Sequence, residues 1–420
     1  MNDGPVHWKI ESVSDVVAWR MCSGCGACAG VCKNGCIRLV DVEETGIRPV
    51  HDKVACLCCR DCLRVCPGIF SARHISPETP DGISHEWGSI VGLWEGHATD
   101  DALRFHGSSG GVASALALFC LEKNGAAGVV HAAQSKTYPW KNETVITVAR
   151  EELVARAGSR YNPASPCDAL NKIAAAGGPP FVFIGKPCDI TAVRNAQAIR
   201  PELSERLQIL IGIFCAGTPS TSGVLRLLSD LAINKETIDE LRFRGMGWPG
   251  KFGVRFKEKG AFVPYMSYAE SWEYIQKYRP FRCYLCPDGT SENADIAVGD
   301  PWYRKTGDTE KGTSLIVVRT LRGRDLLKRA VDAGYIEAAP IKDTRLMESQ
   351  RNLLKKRREI WGRCLSFRVC GLPHPRYDGN RLLRGWLKIG LKRQAATILG
   401  TFKRIITRNY FRRMMVPIKQ

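Results

Sequence analysis

The sequence predicts an α/β body, preceded by a small cysteine-rich α+β segment and followed by a basic helical tail. Three observations predict this. Short apolar runs alternate with helical segments through the middle of the chain, ten of the 18 cysteines fall between Cys22 and Cys66, and residues 351–420 carry 19 Lys+Arg against only Glu359 and Asp378. With 420 residues, 44% of them hydrophobic, the chain has apolar material for one large core or two to three domains. That excludes disordered, collagenous and disulfide-stapled classes. The last 70 residues hold 17 of the formal net charge of +19, so the rest is about neutral and lacks a nucleic-acid footprint.

Residues 1–78 are Gly- and Cys-rich, poor in helix pattern, and close on the linker-like Ser76-Pro77-Glu78-Thr79-Pro80. The opening MNDGPVHWKI lacks the basic and apolar regions of a secretory signal. The longest apolar runs, Val112–Cys120 and Ile209–Ala216, fall well short of a bilayer span. A cytoplasmic chain is expected, where thiols serve as metal ligands or reactive groups more readily than as disulfides. Within residues 79–345, Val112 to Leu121 reads as a buried helix and Gly128 to Val130 as a strand. Phe181–Ile184 and Ile209–Phe214 read as buried strands between helices at Asp168–Ala176 and Thr221–Ile233. Leu315–Val318 is a further strand, with a helix over Gly323–Ala333. Strands this apolar imply a sheet covered on both faces. Residues 346–420 form the basic helical tail, interrupted at Gly371 to Pro375.

The cysteines carry the strongest chemical signal. Cys22, Cys25, Cys28 and Cys32 spell CxxCxxCxxxC, and Cys56, Cys59, Cys62 and Cys66 repeat it with Pro67 behind. Three thiolates at this spacing wrap one cubane while the fourth reaches the neighbouring one. Cys22, Cys25, Cys28 and Cys66 are therefore assigned to one 4Fe-4S cluster, and Cys56, Cys59, Cys62 and Cys32 to another. Tetrahedral zinc, the alternative, usually takes two separated CxxC pairs. Cys36 and Cys58 are surplus to the eight and read as structural.

Cys188 and Cys215 stand at or just past the ends of apolar strands, and Cys283 and Cys286 form a CxxC loop. In open α/β sheets the segments after strand ends build the ligand crevice, so these four thiols are candidates for a third metal site. Core thiols and a zinc or redox pair stay open as alternatives. Cys120 reads as packing on its helix, whereas Cys167, Cys364 and Cys370 have no assignment. Arg104 to Gly111, ahead of an apolar helix, has the makings of an anion cradle, with a tight turn for helix packing as the competing reading. It lacks the GxGxxG order of a dinucleotide fingerprint. Gly158 to Tyr161 and Gly245 to Gly250 offer a guanidinium and aromatic surfaces, or ordinary loops. His74 and His106 read as solvated or hydrogen-bonded histidines.

In the tail, apolar residues recur every three or four positions from Leu383 through Leu387, Leu391, Ala395, Ile398, Phe402, Ile406 and Tyr410, with Arg384, Lys388, Lys392, Arg393, Lys403 and Arg404 between them. This pattern suits an anionic membrane surface over residues 380–413. Docking on a partner or on the protein's own body competes with it, and nucleic acid is not expected for want of a reading motif.

Six stretches resemble a known family: Arg104–Gly111, Gly158–Tyr161, Gly185–Ala192, Gly212–Ser220, Cys283–Cys286 with Ala294 to Asp300, and Gly312–Thr320. Their order over about residues 85–330 resembles the coenzyme F420 hydrogenase/dehydrogenase beta-subunit family, which also includes 7-hydroxymethyl chlorophyll a reductase. The segment ahead resembles two-cluster bacterial ferredoxins, which makes 1–78 a ferredoxin-like domain, 79–345 a catalytic region and 346–420 a tail. That tail resembles those of bacterial members associated with exopolysaccharide synthesis.

The resemblance implies three 4Fe-4S clusters and FAD, with Cys188, Cys215, Cys283 and Cys286 matching the third cluster's ligands. It further implies that Ser108, Ser109, Gly110, Gly111, Gly158, Ser159, Arg160 and Tyr161 line the FAD site. Lys186 would stand near the flavin, and Lys186, Asp189 or Asp300 would supply a proton or hold substrate. The expected function is an oxidoreductase passing electrons between a ferredoxin or other redox partner and a two-electron organic substrate. Homo-oligomerisation and a peripheral place on the inner face of the membrane are compatible with this reading. A non-catalytic electron-transfer subunit is the alternative, and a scaffold is disfavoured because it needs no correctly spaced thiolates.

Overall fold

Apolar runs too long to alternate between water and core set the centre of the fold. The computed structural model describes residues 9–73, 86–258, 260–304 and 311–415. The expected linker at 76–80 and His74 lie outside the described residues.

In chain order, β1 (Ile37–Val42) and β2 (Gly46–His51) form an antiparallel hairpin, and β3 (Phe70–Ala72) follows. The body then adds β4 (Gly92–Ala98), β5 (Gly128–Gln134), β6 (Asn142–Thr147), β7 (Phe181–Gly185) and β8 (Leu207–Ile213). Strands β9 (Ile238–Arg242), β10 (Lys251–Phe256) and β11 (Phe262–Ser267) make a separate three-stranded sheet. With β12 (Ile296–Gly299), β13 (Ser314–Val318) and β14 (Ile336–Pro340), the main sheet runs β14-β4-β13-β12-β8-β7-β5-β6. Last, β15 (Arg376–Asp378) pairs in parallel with β3.

The middle of the main sheet is parallel, β12 to β8 to β7 to β5, with antiparallel neighbours on either side. Each central strand is buried on both faces because successive side chains point to opposite sides. Leu210, Phe183, Leu315 and Val317 enter one core, whereas Ile209, Ile211, Val182, Ile316 and Val318 enter the other. Helices α1 (Val112–Glu122) and α4 (Leu321–Asp332) cover the second face, and α2 (Pro187–Ile199) covers the first. Between them in sequence, α3 (Thr221–Asp230) packs against the smaller sheet.

Helix ends depart from the sequence reading for local reasons. The helix expected at Asp168–Ala176 starts as a 3-10 turn at Pro166–Ala169 and is α-helical over Leu170–Ala175. Expected to run to Ile233, α3 stops at Asp230, and Ala232 takes a left-handed φ of 54°. The Thr320 hydroxyl accepts from Gly323 N and starts α4 at Leu321, two residues early.

The cysteine-rich segment has a small cluster of its own around Val13, Cys36 and Ile37, and shares a larger core with the body. Cys25, Ala27, Val31 and Val65 are buried with Leu170, Phe183 and Ile190 of the body. Its helices are short, Val13–Ala18, Ala27–Gly30 and Asp61–Arg64, and such short helices are held by packing more than by their own hydrogen bonds. Contact with the body is close, since a Cβ at Gly30 would lie 1.9 Å from the Cys167 carbonyl oxygen. The C-terminal part folds as α5 (Arg351–Val369), α6 (Leu382–Leu387) and α7 (Leu391–Thr407). Among the described residues no helix is long and apolar enough to cross a membrane.

Candidate functional site

A cavity of about 1420 Å³ opens at the carboxyl ends of the parallel strands, the place where open α/β sheets bind ligands. Lys186 follows β7, Cys215 follows β8 and Asp300 follows β12, and all three line it. So do the 107–111 and 158–161 loops, and Tyr268, Trp272 and Trp302 supply an aromatic wall. Tyr268 and Trp302 stack at 5.6 Å with only 2° between their planes. Those rings come from segments that the sequence reading did not single out.

The two glycine-bearing loops are braced by one another. Ser108 Oγ accepts from Ser159 N, and Ser109 Oγ donates to Thr313 O at 2.8 Å. Gly110 N donates to Ser314 Oγ at 2.9 Å, and a Cβ there would lie 2.7 Å from Ser314 N. Gly111 has a left-handed φ of 73°, which a side chain would strain. The stretch is therefore a packing turn, and it also lines the cavity. Gly158 and Tyr161 line it too, with Tyr161 packed against Trp272. The Arg160 guanidinium reaches Asn142 Oδ1 at 2.9 Å, Pro139 O at 3.0 Å and Gln134 Oε1 at 3.2 Å, so most of its donors hold the fold together.

Lys186 Nζ lies 2.7 Å from Asp189 Oδ2, and the same oxygen accepts from Lys186 N. Burial works to discharge the ammonium, but Asp189 outweighs it and holds the Lys186 pKa above the ordinary lysine value. Lys186 is thus a fixed cation. Asp300 accepts from Arg244 Nη1 and Nη2 at 2.9 and 2.7 Å and from Trp248 Nε1 at 2.8 Å. His106, by contrast, has a buried Nδ1 without a hydrogen-bond partner.

Many of the cysteines lie close enough to one another to interact electrostatically. Burial raises the Cys28 thiol well above its usual pKa, and the nearby Cys25, Cys22 and Cys66 add to the rise, with Cys62 beyond. Cys62 is pushed up to about 11 by burial and by Cys59, Cys56 and Cys32. Cys215 also reaches about 11, through burial first and then Cys283 and Cys286. Cys188 is raised by burial, Asp189, Cys215 and Cys25. Neighbouring thiols thus link Cys62 to Cys28, Cys25 to Cys188 and Cys188 to Cys215, and Cys215 and Cys283 line the cavity. Cys167 bridges segment and body: its N donates to Cys25 O at 3.1 Å, and its thiol lowers the Cys25 pKa. Cys120 packs in the core as expected.

One grouping was not legible in the sequence. Cys36, read as structural, joins His51 and Cys56 with ligand atoms all within 4.8 Å of one another. Its Sγ is 3.2 Å from Cys32 Sγ, and both His51 ring nitrogens are buried without a partner. The cross-strand pair Ile37–His51 creates this neighbourhood from residues 15 positions apart.

These donor sets suit iron-sulfur chemistry. Crowded, buried thiols such as Cys28 and Cys66 resist ionisation until a cationic core offsets their charge. The cavity exceeds the volume of drug-sized pockets, and Arg279, Arg345, Arg351 and Lys356 add positive charge to its lining. Aromatic planes beside fixed cations fit a flat ring system carrying phosphates.

Two stretches match the halves of one described family, the coenzyme F420 hydrogenase/dehydrogenase beta subunit. Residues 93–171 match its N-terminal part and residues 180–344 its C-terminal part. The coenzyme F420 hydrogenase subunit beta of Methanothermobacter thermautotrophicus is 25% identical over 264 residues, 61% of this chain and 87% of that protein. A coenzyme F420-dependent sulfite reductase of Methanocaldococcus jannaschii is 24% identical over 346 residues, 78% of this chain but 48% of its own length. Among solved structures, a chain of the F420-reducing NiFe hydrogenase complex from Methanosarcina barkeri aligns with a TM-score of 0.52 at 23% identity, covering 65% of this chain and 92% of that one. At that identity the likeness shows the fold alone. The family matches together span more than half of the residues, in the order in which the sheet is built, and the chain belongs to the coenzyme F420 hydrogenase/dehydrogenase beta-subunit family.

Proposed function

We propose that this protein is an iron-sulfur flavoprotein oxidoreductase that links a ferredoxin-type one-electron carrier to a two-electron organic substrate. The observation that carries the reading is the succession of neighbouring thiols, Cys62 beside Cys28, Cys25 beside Cys188 and Cys188 beside Cys215, which reaches a cavity lined by Cys215 and Cys283. Cys22, Cys25, Cys28 and Cys66 would hold one 4Fe-4S cluster, Cys32, Cys56, Cys59 and Cys62 a second, and Cys188, Cys215, Cys283 and Cys286 a third. Residues 1–78 would then serve as the ferredoxin-like portion and 79–345 as the catalytic region. The redox character printed in the relatives' names supports this assignment. FAD, held by the 108–111 and 158–161 loops, would supply the exchange between single electrons and a hydride.

The chain's own residues then have definite tasks. Lys186, kept cationic by Asp189, holds positive charge at the end of β7 for an anionic ring or substrate group. Asp300, held by Arg244 and Trp248, fixes the cavity wall beneath Trp302. Tyr268 and Trp302 exclude water on one side. A two-electron step on the membrane-associated sugar precursors of exopolysaccharide synthesis is the substrate class that the tail favours.

A second reading, an electron-transfer subunit without its own turnover, draws on the likeness to a chain of a multi-subunit hydrogenase complex. Protein purified without oxygen separates the two. Iron, acid-labile sulfide and released flavin would be counted per chain, with spectra before and after reduction. About twelve iron and one FAD support the flavoprotein. About eight iron without flavin removes the third cluster and leaves the subunit reading.

A further inference from the structure

Helix α7 has two apolar faces, and the protein body uses only one of them. On the inner side Thr401 and Ile405 are buried, and Ile405 packs with Tyr410, which lies just past the helix, alongside Phe281 and Phe367. Arg404 lies over the Tyr284 ring at 4.7 Å. The outer side carries Leu391, Ala395, Leu399, Phe402 and Ile406 at helical spacing. Leu391, Leu399 and Ile406 are 82%, 67% and 68% exposed, so most of their apolar surface is left uncovered by the body. Leu383 and Leu387 on α6 and Phe411 and Met415 beyond α7 are exposed as well.

Charge indicates what covers this ridge. Lys392 and Lys403, both exposed, flank it on one side. After Asp378 the chain has 11 Lys+Arg and no acidic residue. A second copy of the same surface would bring like charges together. Nucleic acid would need its cations at the centre of contact, yet that centre is aliphatic. A bilayer of acidic lipids meets both demands, with acyl chains for the leucines and headgroups for the lysines.

We propose that α7, with α6 and the turn after it, is an interfacial docking surface for an anionic phospholipid bilayer. The helix lies along the surface without crossing it, because its inner face is held by the body. Docking would bring the cysteine-rich segment close to the membrane, since Arg20 Nη1 donates to Arg412 O and Met414 N to Ala18 O, each at 2.8 Å. This inference does not rest on the cofactor reading.

Flotation of the full chain, purified without oxygen, tests it against vesicles of phosphatidylcholine alone and of equal parts phosphatidylcholine and phosphatidylglycerol. The expected result is co-flotation with the mixed vesicles only, weakening as salt rises. Leu399→Asp with Ile406→Asp should lower partitioning about tenfold or more, as should Lys392→Glu with Lys403→Glu. Both pairs are on exposed positions, and unchanged thermal melting would show that they fold. Equal flotation of the Leu399→Asp/Ile406→Asp chain overturns the proposal. So does failure to float with the mixed vesicles, whether the chain stays free, dimerises or binds RNA instead.

Discussion

Gly30 faces the backbone carbonyl of Cys167 so closely that a Cβ on it would lie 1.9 Å from that oxygen. The contact joins the first cysteine motif to the 3-10 turn ahead of Leu170, two segments more than 130 residues apart. Gly30→Ala must therefore push the cysteine-rich segment off the body. A loss of about 3 kcal/mol in stability is expected, read as a lower melting temperature. On the proposed function, slower reduction of the flavin by an external donor should accompany it.

The Lys186–Asp189 pair makes a prediction with an internal control. Lys186→Met leaves Asp189, fully buried, without its partner and should cost about 3–5 kcal/mol. Adding Asp189→Asn removes the orphaned charge and should restore most of the melting temperature. Turnover should stay low in the double variant, because the fixed cation is still missing. Recovery of turnover together with stability would assign the pair a structural role alone.

His131 gives a pH dependence. Burial holds its imidazole down at about 4, against 6.5 when exposed, with Nε2 2.8 Å from Thr147 Oγ1. The unfolded chain therefore binds a proton that the folded chain refuses over that interval. Stability is full above pH 6.5 and is lost as pH falls toward 4, by about 3 kcal/mol. Unfolding midpoints measured across this range should fall more steeply for the native chain than for His131→Gln. Parallel curves would count against the buried imidazole as the source.

On the proposed cluster assignment, iron counts distinguish the ligand thiols from their neighbours. Cys59→Ser should lower iron by about four per chain. Cys36→Ser, which alters a thiol 3.2 Å from Cys32, should leave the count unchanged. A fall of equal size in both variants would make Cys36 a ligand and redraw the second set.

Legibility in the sequence followed the range over which each signal acts. The buried strands and the two CxxCxxCxxxC motifs are local patterns, and β7, β8 and β13 lie where the apolar runs place them. The Cys36–His51 neighbourhood depends on hairpin register, which no local spacing encodes. Stacking of Tyr268 on Trp302 needs the smaller sheet to meet the end of β12, a tertiary event. Likewise the donors of Arg160 are consumed by Asn142, Pro139 and Gln134, so a guanidinium that looked available for a ligand holds two strand ends together.

The core that Cys25, Ala27, Val31 and Val65 share with the body bears on how such a protein can change over evolution. A donor attached by a tether can be replaced by recombination at the tether, leaving the acceptor intact. Here a swap at the boundary would strip cover from Leu170, Phe183 and Ile190, so an incoming donor would have to match an entire packed surface. On the proposed function, electron supply and fold would be inherited as one unit, and adaptation to a new carrier would be confined to the outward side of the segment, around Val54, Leu57 and Cys58.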